Sequence, residues 1–162
     1  MGVDTALRTT GVGIVDGSGQ SITAVEYGCI KTTKQQPLST CLANLSGGIK
    51  DLIDQYSPDV VAIEGIFDSR NVKTAVMLGE ARGAVITTCA QAGLQIFEYA
   101  PRRVKQAVAG NGAASKEQVG RMVKNLLALS AVPQEDAGDA LAIAICHYHT
   151  SKGPEAVMPG AI

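Results

Sequence analysis

Four carboxylates carry the chemistry open to this sequence. Asp136 and Asp139 lie three residues apart in Glu135-Asp136-Ala137-Gly138-Asp139, at the start of a strongly apolar segment. On a helix they would share one face. Alone they read as the acids that commonly decorate a first helical turn. Asp4 ends the apolar opening Met1-Gly2-Val3, and Glu64 ends Val60-Val61-Ala62-Ile63. An acid that closes a hydrophobic run falls at the rim of a sheet. If the three places meet, the acids repel one another and their pKa values rise unless cations neutralise them. Oxygen-only donors of this kind suit a hard divalent cation. The competing reading is structural: helix-start acids at 136 and 139, and an ion-pair partner at 64.

The net charge of −1 conceals a segregation. Residues 70–124 hold nine bases against three acids, a net of +6, and the remainder is −7. Such a division fits a basic surface beside an acidic centre, or helices that simply expose Lys and Arg. Phe67 is one of two phenylalanines and precedes polar Asp68-Ser69-Arg70. It reads either as an exposed ring that stacks on a base or as a core aromatic at a strand end. Cys146-His147-Tyr148-His149 suggests zinc, but no second pair elsewhere would complete four ligands. The other cysteines, Cys29, Cys41 and Cys89, sit in apolar contexts and read as reduced thiols.

These residues need elements to bring them together. Hydrophobic residues make up 46% of 162 and aromatics 4%, enough for one aliphatic core. No membrane-length apolar run or charged leader is present, which fits a cytoplasmic protein. Residues 1–5 and 12–15 read as strands, joined through a turn at Arg8-Thr9-Thr10-Gly11. Asp16-Gly17-Ser18-Gly19 reads as a hairpin turn into a third strand over 21–30, with Ile22, Ala24, Tyr27 and Cys29 as packing candidates. From Pro37, Leu38, Cys41, Leu42, Leu45, Ile49, Leu52, Ile53 and Tyr56 form an amphipathic helical stripe. A buried strand follows over 60–63, a long helix over 71–92 and a strand over 95–98. Helices over 101–109, 115–129 and 135–149 complete the pattern. Gly79-Glu80-Ala81-Arg82-Gly83, with Ala75, gives the long helix a small-residue patch for the sheet or for a second subunit.

The order predicts an α/β fold: a five-stranded mixed sheet, three antiparallel strands plus two parallel, with helices on both faces. The first and fourth strands would be parallel neighbours, placing Asp4 beside Glu64 beneath the last helix. Residues 1–150 read as one domain and 151–162 as a flexible tail.

Several segments stand in a telling order: Val3-Asp4 with Arg8-Thr9-Thr10-Gly11-Val12-Gly13, Ala62-Ile63-Glu64-Gly65-Ile66-Phe67, and Gly79 to Gly83. Tyr99 to Gly110, Lys116-Glu117-Gln118-Val119 and Asp136 to Ala144 follow. Together they resemble the RuvC family, the crossover junction endodeoxyribonucleases, or Holliday-junction resolvases, of bacteria. Thr5-Ala6 departs from the Pro-Gly of most relatives.

The resemblance implies a ribonuclease-H-like fold and a homodimer that resolves four-way DNA junctions by paired symmetric nicks, leaving 5′-phosphate and 3′-hydroxyl ends. It makes Asp4, Glu64, Asp136 and Asp139 metal ligands and catalytic residues, joined in catalysis by Lys105 and Lys116. It implies two Mg²⁺ ions per subunit, with Mn²⁺ as a substitute. Phe67, Arg70, Asn71, Lys73, Arg102, Arg103, Lys105 and Lys116 are the implied nucleic-acid contacts, and the branch-migration complex RuvAB an implied partner. The competing functions are a nuclease of the same fold that processes ribosomal RNA precursors, an actin-like kinase or ATPase, and a non-catalytic junction-binding module.

Overall fold

The computed structural model of the chain describes residues 1–19, 21–65, 71–153 and 158–162. Strands β1 (Gly2–Asp4), β2 (Thr9–Ser18) and β3 (Ser21–Lys31) form an antiparallel meander. Helix α1 (Leu38–Tyr56) leads into β4 (Val60–Glu64), and α2 (Val72–Gln91) into β5 (Gln95–Tyr99). Helices α3 (Pro101–Ala109), α4 (Lys116–Leu126) and α5 (Glu135–Ser151) follow. The strand order is β3-β2-β1-β4-β5, with β4 parallel to both β1 and β5. This is the predicted mixed sheet, with β1 and β4 side by side at its centre.

Strand alternation divides the core between the two faces. Val3, Val12, Ile14, Val61, Ile63 and Ile96 pack under α1 and α2 against Cys41, Leu45, Ile49, Val85 and Cys89. Ala62, Phe97 and Tyr99 pack on the other face with Val104, Val119, Val123, Leu141 and Ile145. Each buried aliphatic side chain of this kind contributes about 1.5–3 kcal/mol.

Helix α5 is buried along most of its length, from Ala137 through Cys146 apart from Asp139. Glycines let it lie directly on the strands. A Cβ at Gly2 would stand 2.1 Å from the Ala140 carbonyl oxygen, and one at Gly11 only 1.9 Å from that of Asp136. A Cβ at Gly13 would meet the Leu141 amide nitrogen at 2.8 Å. At the far end, Gly17 leaves room for the Tyr148 ring, whose hydroxyl donates to the Gly19 carbonyl at 2.9 Å.

The strands differ from their predicted bounds for this reason. Arg8–Gly11 and Asp16–Gly19 read as turns because glycine punctuates chains, yet β2 runs through most of both stretches. The turn falls at Gly19, where φ is +62°. Opposite β2, the register jumps from Ile14↔Glu26 to Val15↔Ala24, leaving Val25 as a bulge. The bulge changes the parity of β3, so Ile22, Ala24, Tyr27 and Cys29 all pair with the β2 residues that face α5. Tyr27 is nevertheless 39% exposed.

Helix α4 ends at Leu126 rather than near Leu129. Ala128 turns left-handed at φ +50°, and the Leu129 amide returns to the Lys124 carbonyl at 2.9 Å. No glycine signals this stop. Ala128→Gly is expected to stabilise the protein by about 1 kcal/mol, because a Cβ there is strained. Urea denaturation would show the midpoint rise.

Among the described residues of the expected flexible tail, 158–162 lie against the sheet. Ala161 bridges Phe97, the Ile162 amide donates to the Ile96 carbonyl at 2.9 Å, and Met158 packs on the adjacent core. Pairing to the edge of β5 satisfies backbone groups that would otherwise face solvent. All four cysteines are free thiols, and among the described residues no helix is long and apolar enough to cross a membrane.

Candidate active site

Strand parity aims the first two acids. Gly2 pairs with Ala62, and both lie on the α5 face of the sheet. Asp4 and Glu64 come two residues later in parallel strands, so they point to that same face where the strands end. Helix α5 begins above them, its first turn fixed by the contact of Asp136 with Gly11. A cleft of about 250 Å³ results, lined by Asp4, Glu64, Asp139, Lys105 and Lys116 with Pro101, Val104, Val119 and Ala142. Asp136 is half-buried at its margin, close enough to raise the pKa of Asp4.

The electrostatics are those of a charge cluster short of cations. Burial, then repulsion from Asp4 and Asp139, pushes Glu64 up to about 7, against the pull of Lys116 and Lys105. Burial, then Asp139 and Asp136, raises Asp4 to about 6. Asp139 is also raised by burial, although Lys116 opposes the shift. The Lys116 ammonium donates to Glu135 Oε1 at 2.5 Å and to Asp139 Oδ2 at 3.2 Å, and these contacts hold it charged. Lys116 owes its place to the first turn of α4, which Ser115 and Gln118 close with reciprocal capping bonds.

Among the described residues, no three His, Cys, Asp or Glu side chains form a ready-made metal group. The donor set nonetheless fits a hard divalent cation. It offers oxygen ligands only, from half-buried carboxylates whose pKa values are raised by burial first and by one another second. A bound cation would relieve the repulsion that Lys116 now partly offsets.

The other candidates are dispersed. Phe67 and Arg70 lie outside the described residues. Asn71 caps α2, its side-chain oxygen accepting from the Lys73 and Thr74 amides at 3.0 and 3.3 Å. Lys73 is exposed in the first turn of that helix. Arg102 packs beside Gly112, and Arg103 hydrogen-bonds the Cys146 thiol; neither lines the acidic cleft. The zinc reading of residues 146–149 fails on geometry. Cys146 is buried, His147 pairs through Nδ1 with the Tyr99 hydroxyl at 2.9 Å, and His149 Nδ1 lies 3.3 Å from the Ala107 carbonyl. The departure at Thr5-Ala6 leaves Thr5 Oγ1 buried with no hydrogen-bond partner among the described residues.

Three features were not visible beforehand. Glu135 tethers Lys116, the glycines of β1 and β2 seat α5, and Arg82 reaches the Glu64 backbone. Only the last had a signal, a basic residue flanked by the small residues Ala81 and Gly83.

A five-stranded sheet in this order, with acids at the ends of its adjacent parallel central strands and on the helix above them, defines a ribonuclease-H-like nuclease. Residues 1–147 match the family model described as Crossover junction endodeoxyribonuclease RuvC. The crossover junction endodeoxyribonuclease RuvC of Halorhodospira halophila is 47% identical over 154 residues, covering 95% of this chain and 92% of the relative. Among solved structures, T. thermophilus RuvC in complex with Holliday junction substrate superposes with a TM-score of 0.92 at 31% identity. That match covers 98% of this chain and 96% of the other. The yeast mitochondrial Holliday junction resolvase Ydc2 shares the fold at TM-score 0.66 and 12% identity, over 91% of this chain and 76% of its own. The chain belongs to the RuvC family of crossover junction endodeoxyribonucleases.

Proposed function

We propose that this protein resolves four-way DNA junctions by metal-dependent hydrolysis, using Asp4, Glu64, Asp136 and Asp139 as cation ligands. The observation that carries the reading is the cleft itself: acids from β1, β4 and α5 converge beside two lysines. The similarity to the T. thermophilus protein bound to a Holliday junction supports the substrate class.

Mg²⁺, two ions per site with Mn²⁺ as a substitute, would supply Lewis acidity and lower the pKa of a bound water. The remaining work belongs to the chain. Glu64, as a cation ligand in the cleft, would orient the water that attacks phosphorus, whose proton passes to solvent. Lys116 leaves Glu135 to pair with a non-bridging phosphate oxygen, and Lys105, which also lines the cleft, holds the neighbouring backbone. The P–O3′ bond breaks, the 3′ oxygen takes up a proton, and 5′-phosphate and 3′-hydroxyl ends remain. Phe67, Arg70 and Lys73 are proposed contacts with the junction.

Paired nicks need two such sites, and α2 offers a face for a second copy. Val72 is 78% and Val76 55% exposed, and Gly79 and Gly83 open onto empty space. Ala81 instead turns into the core, so only part of the predicted small patch is free. Val76→Asp is expected to dissociate the dimer in sedimentation and to replace paired nicks with single ones. A dimer of unchanged stability would remove α2 from the interface.

Protons compete with the cation. Asp4 and Glu64 titrate near 6 and 7 in the metal-free site, so both shed protons as pH rises from about 5 to about 8. The Mg²⁺ concentration for half-maximal cleavage should therefore fall across that window. A titration flat from pH 5 to 8 would contradict these assignments. The overall test is to incubate the protein with a synthetic four-way junction, with and without Mg²⁺, and to map the ends. Symmetric Mg²⁺-dependent nicks are expected, and cutting of folded RNA in preference to the junction would favour the ribosomal RNA alternative.

A further inference from the structure

The peptide group between Glu64 and Gly65 is held at both ends. Its N–H donates to the Tyr99 carbonyl at 3.0 Å, extending the parallel ladder one step past β4. Its carbonyl, belonging to Glu64, accepts from Arg82 Nη1 at 2.6 Å. The last register pair between β1 and β4 is Val3 with Ile63, so this carbonyl stands beyond the end of that ladder. The second arm of the Arg82 guanidinium pairs with Glu98 of β5. The Arg82 side chain is only 12% exposed. A guanidinium is buried this far only when its donors are matched.

The geometry closes a ring. Glu98 and Tyr99 are consecutive on β5, Tyr99 takes the Gly65 amide, and Arg82 joins the Glu64 carbonyl back to Glu98. Arg82 reaches the sheet from α2, on the face opposite the acidic cleft, and does not line that cleft. Pinning both ends of this peptide fixes the backbone torsion of Glu64 where the strand stops. The direction of the carboxylate on the other face follows from that torsion.

We propose that Arg82 is a positioning residue for Glu64: from the back of the sheet it locks the Glu64–Gly65 peptide and so aims the Glu64 carboxylate into the cleft. The inference rests on the role given to Glu64 above. The rigid fork of arginine suits it, since two acceptors on neighbouring strands must be met at once. Lysine presents a single ammonium on a flexible stem and cannot hold both in fixed relation.

The test combines Arg82→Gln, Arg82→Lys and Glu98→Gln in the full chain. Three quantities are read: single-turnover junction cleavage, junction affinity without metal, and Mn²⁺ affinity from the paramagnetic resonance signal of the free ion. Arg82→Gln should slow cleavage by roughly 10–100-fold and weaken Mn²⁺ by a similar factor, as loss of an outer-shell partner does. Metal-free junction affinity should be unchanged, whereas a general structural role would reduce it as well. Arg82→Lys should recover part of both losses. If Arg82→Gln does not fold, Glu98→Gln decides, since its side chain is 36% exposed and its amide still accepts a bond. A few-fold slowing with weaker Mn²⁺ binding supports the proposal. Folded variants with the parent's rate and Mn²⁺ affinity overturn it. A parent that binds Mn²⁺ but never nicks a junction would remove the functional reading, while the Mn²⁺ comparison would still judge Arg82.

Discussion

An Asp4→Asn protein should melt at a higher temperature than its parent in chelator and should no longer cleave. The two effects have one origin. Burial and the neighbouring acids raise Asp4 from 3.8 to about 6 in the folded, metal-free protein. A folded-state pKa above the unfolded value means that the fold prefers the protonated acid. Stability is therefore lost as pH climbs through the window from about 4 to about 6, and at neutral pH the ionised carboxylate opposes folding. Discounted for partial exposure, the penalty is on the order of 2 kcal/mol. Removing it should raise the melting temperature by about 5 °C for a chain of this size. The same substitution deletes a charge from the proposed cation site, and cleavage should fall by on the order of 10³-fold or more. Differential scanning calorimetry at pH 7 and a junction assay check the two halves. Full activity would remove Asp4 from the site, and a lower melting temperature would contradict the repulsion argument.

Gly11→Ala should be the most damaging single methyl group in the protein. The added carbon would sit 1.9 Å from the Asp136 carbonyl oxygen and 2.5 Å from its carbonyl carbon. Both neighbours are main chain, so no rotamer change relieves the clash, and the head of α5 must lift. Overpacking of this kind costs about 1–3 kcal/mol, and more where backbone cannot yield. The lift also carries Asp136 and Asp139 away from Asp4 and Glu64. A displacement near 1 Å in a site of this type lowers the rate by roughly 100-fold. Gly28→Ala, on the neighbouring strand, is the control, since a Cβ there meets nothing within 4 Å. Urea denaturation should separate the two variants clearly. Equal stability and equal cleavage would mean that α5 is not seated by the glycines.

The acids were legible because each closes or opens an apolar run. Asp4 and Glu64 end strands whose burial is written in their aliphatic neighbours, and Asp136 and Asp139 share a helix face by spacing alone. Parallel pairing of β1 and β4 then required little beyond the order of elements. The glycines were misread for a physical reason. Gly11 and Gly17 look like turn residues locally, and only the approach of α5, more than a hundred positions away, shows why side chains are missing there. Glu135 was equally opaque, because its partner Lys116 sits nineteen residues upstream on another helix. Ala128 adopts a conformation that usually signals glycine, so its sequence concealed the end of α4. The closing residues looked like a tail by composition, and their pairing with β5 depends on an edge that no local pattern reveals.

A complete site must hold a cation where the strand acids meet the helix acids. Diffraction from crystals soaked in Mn²⁺, recorded at a wavelength where manganese scatters anomalously, locates it directly. The expected peaks lie among the carboxylates of Asp4, Glu64, Asp136 and Asp139, with Lys116 turned away from Asp139. An ion bound elsewhere, or a cleft that stays empty at saturating Mn²⁺ with the Lys116–Asp139 pair intact, would contradict the account at its root.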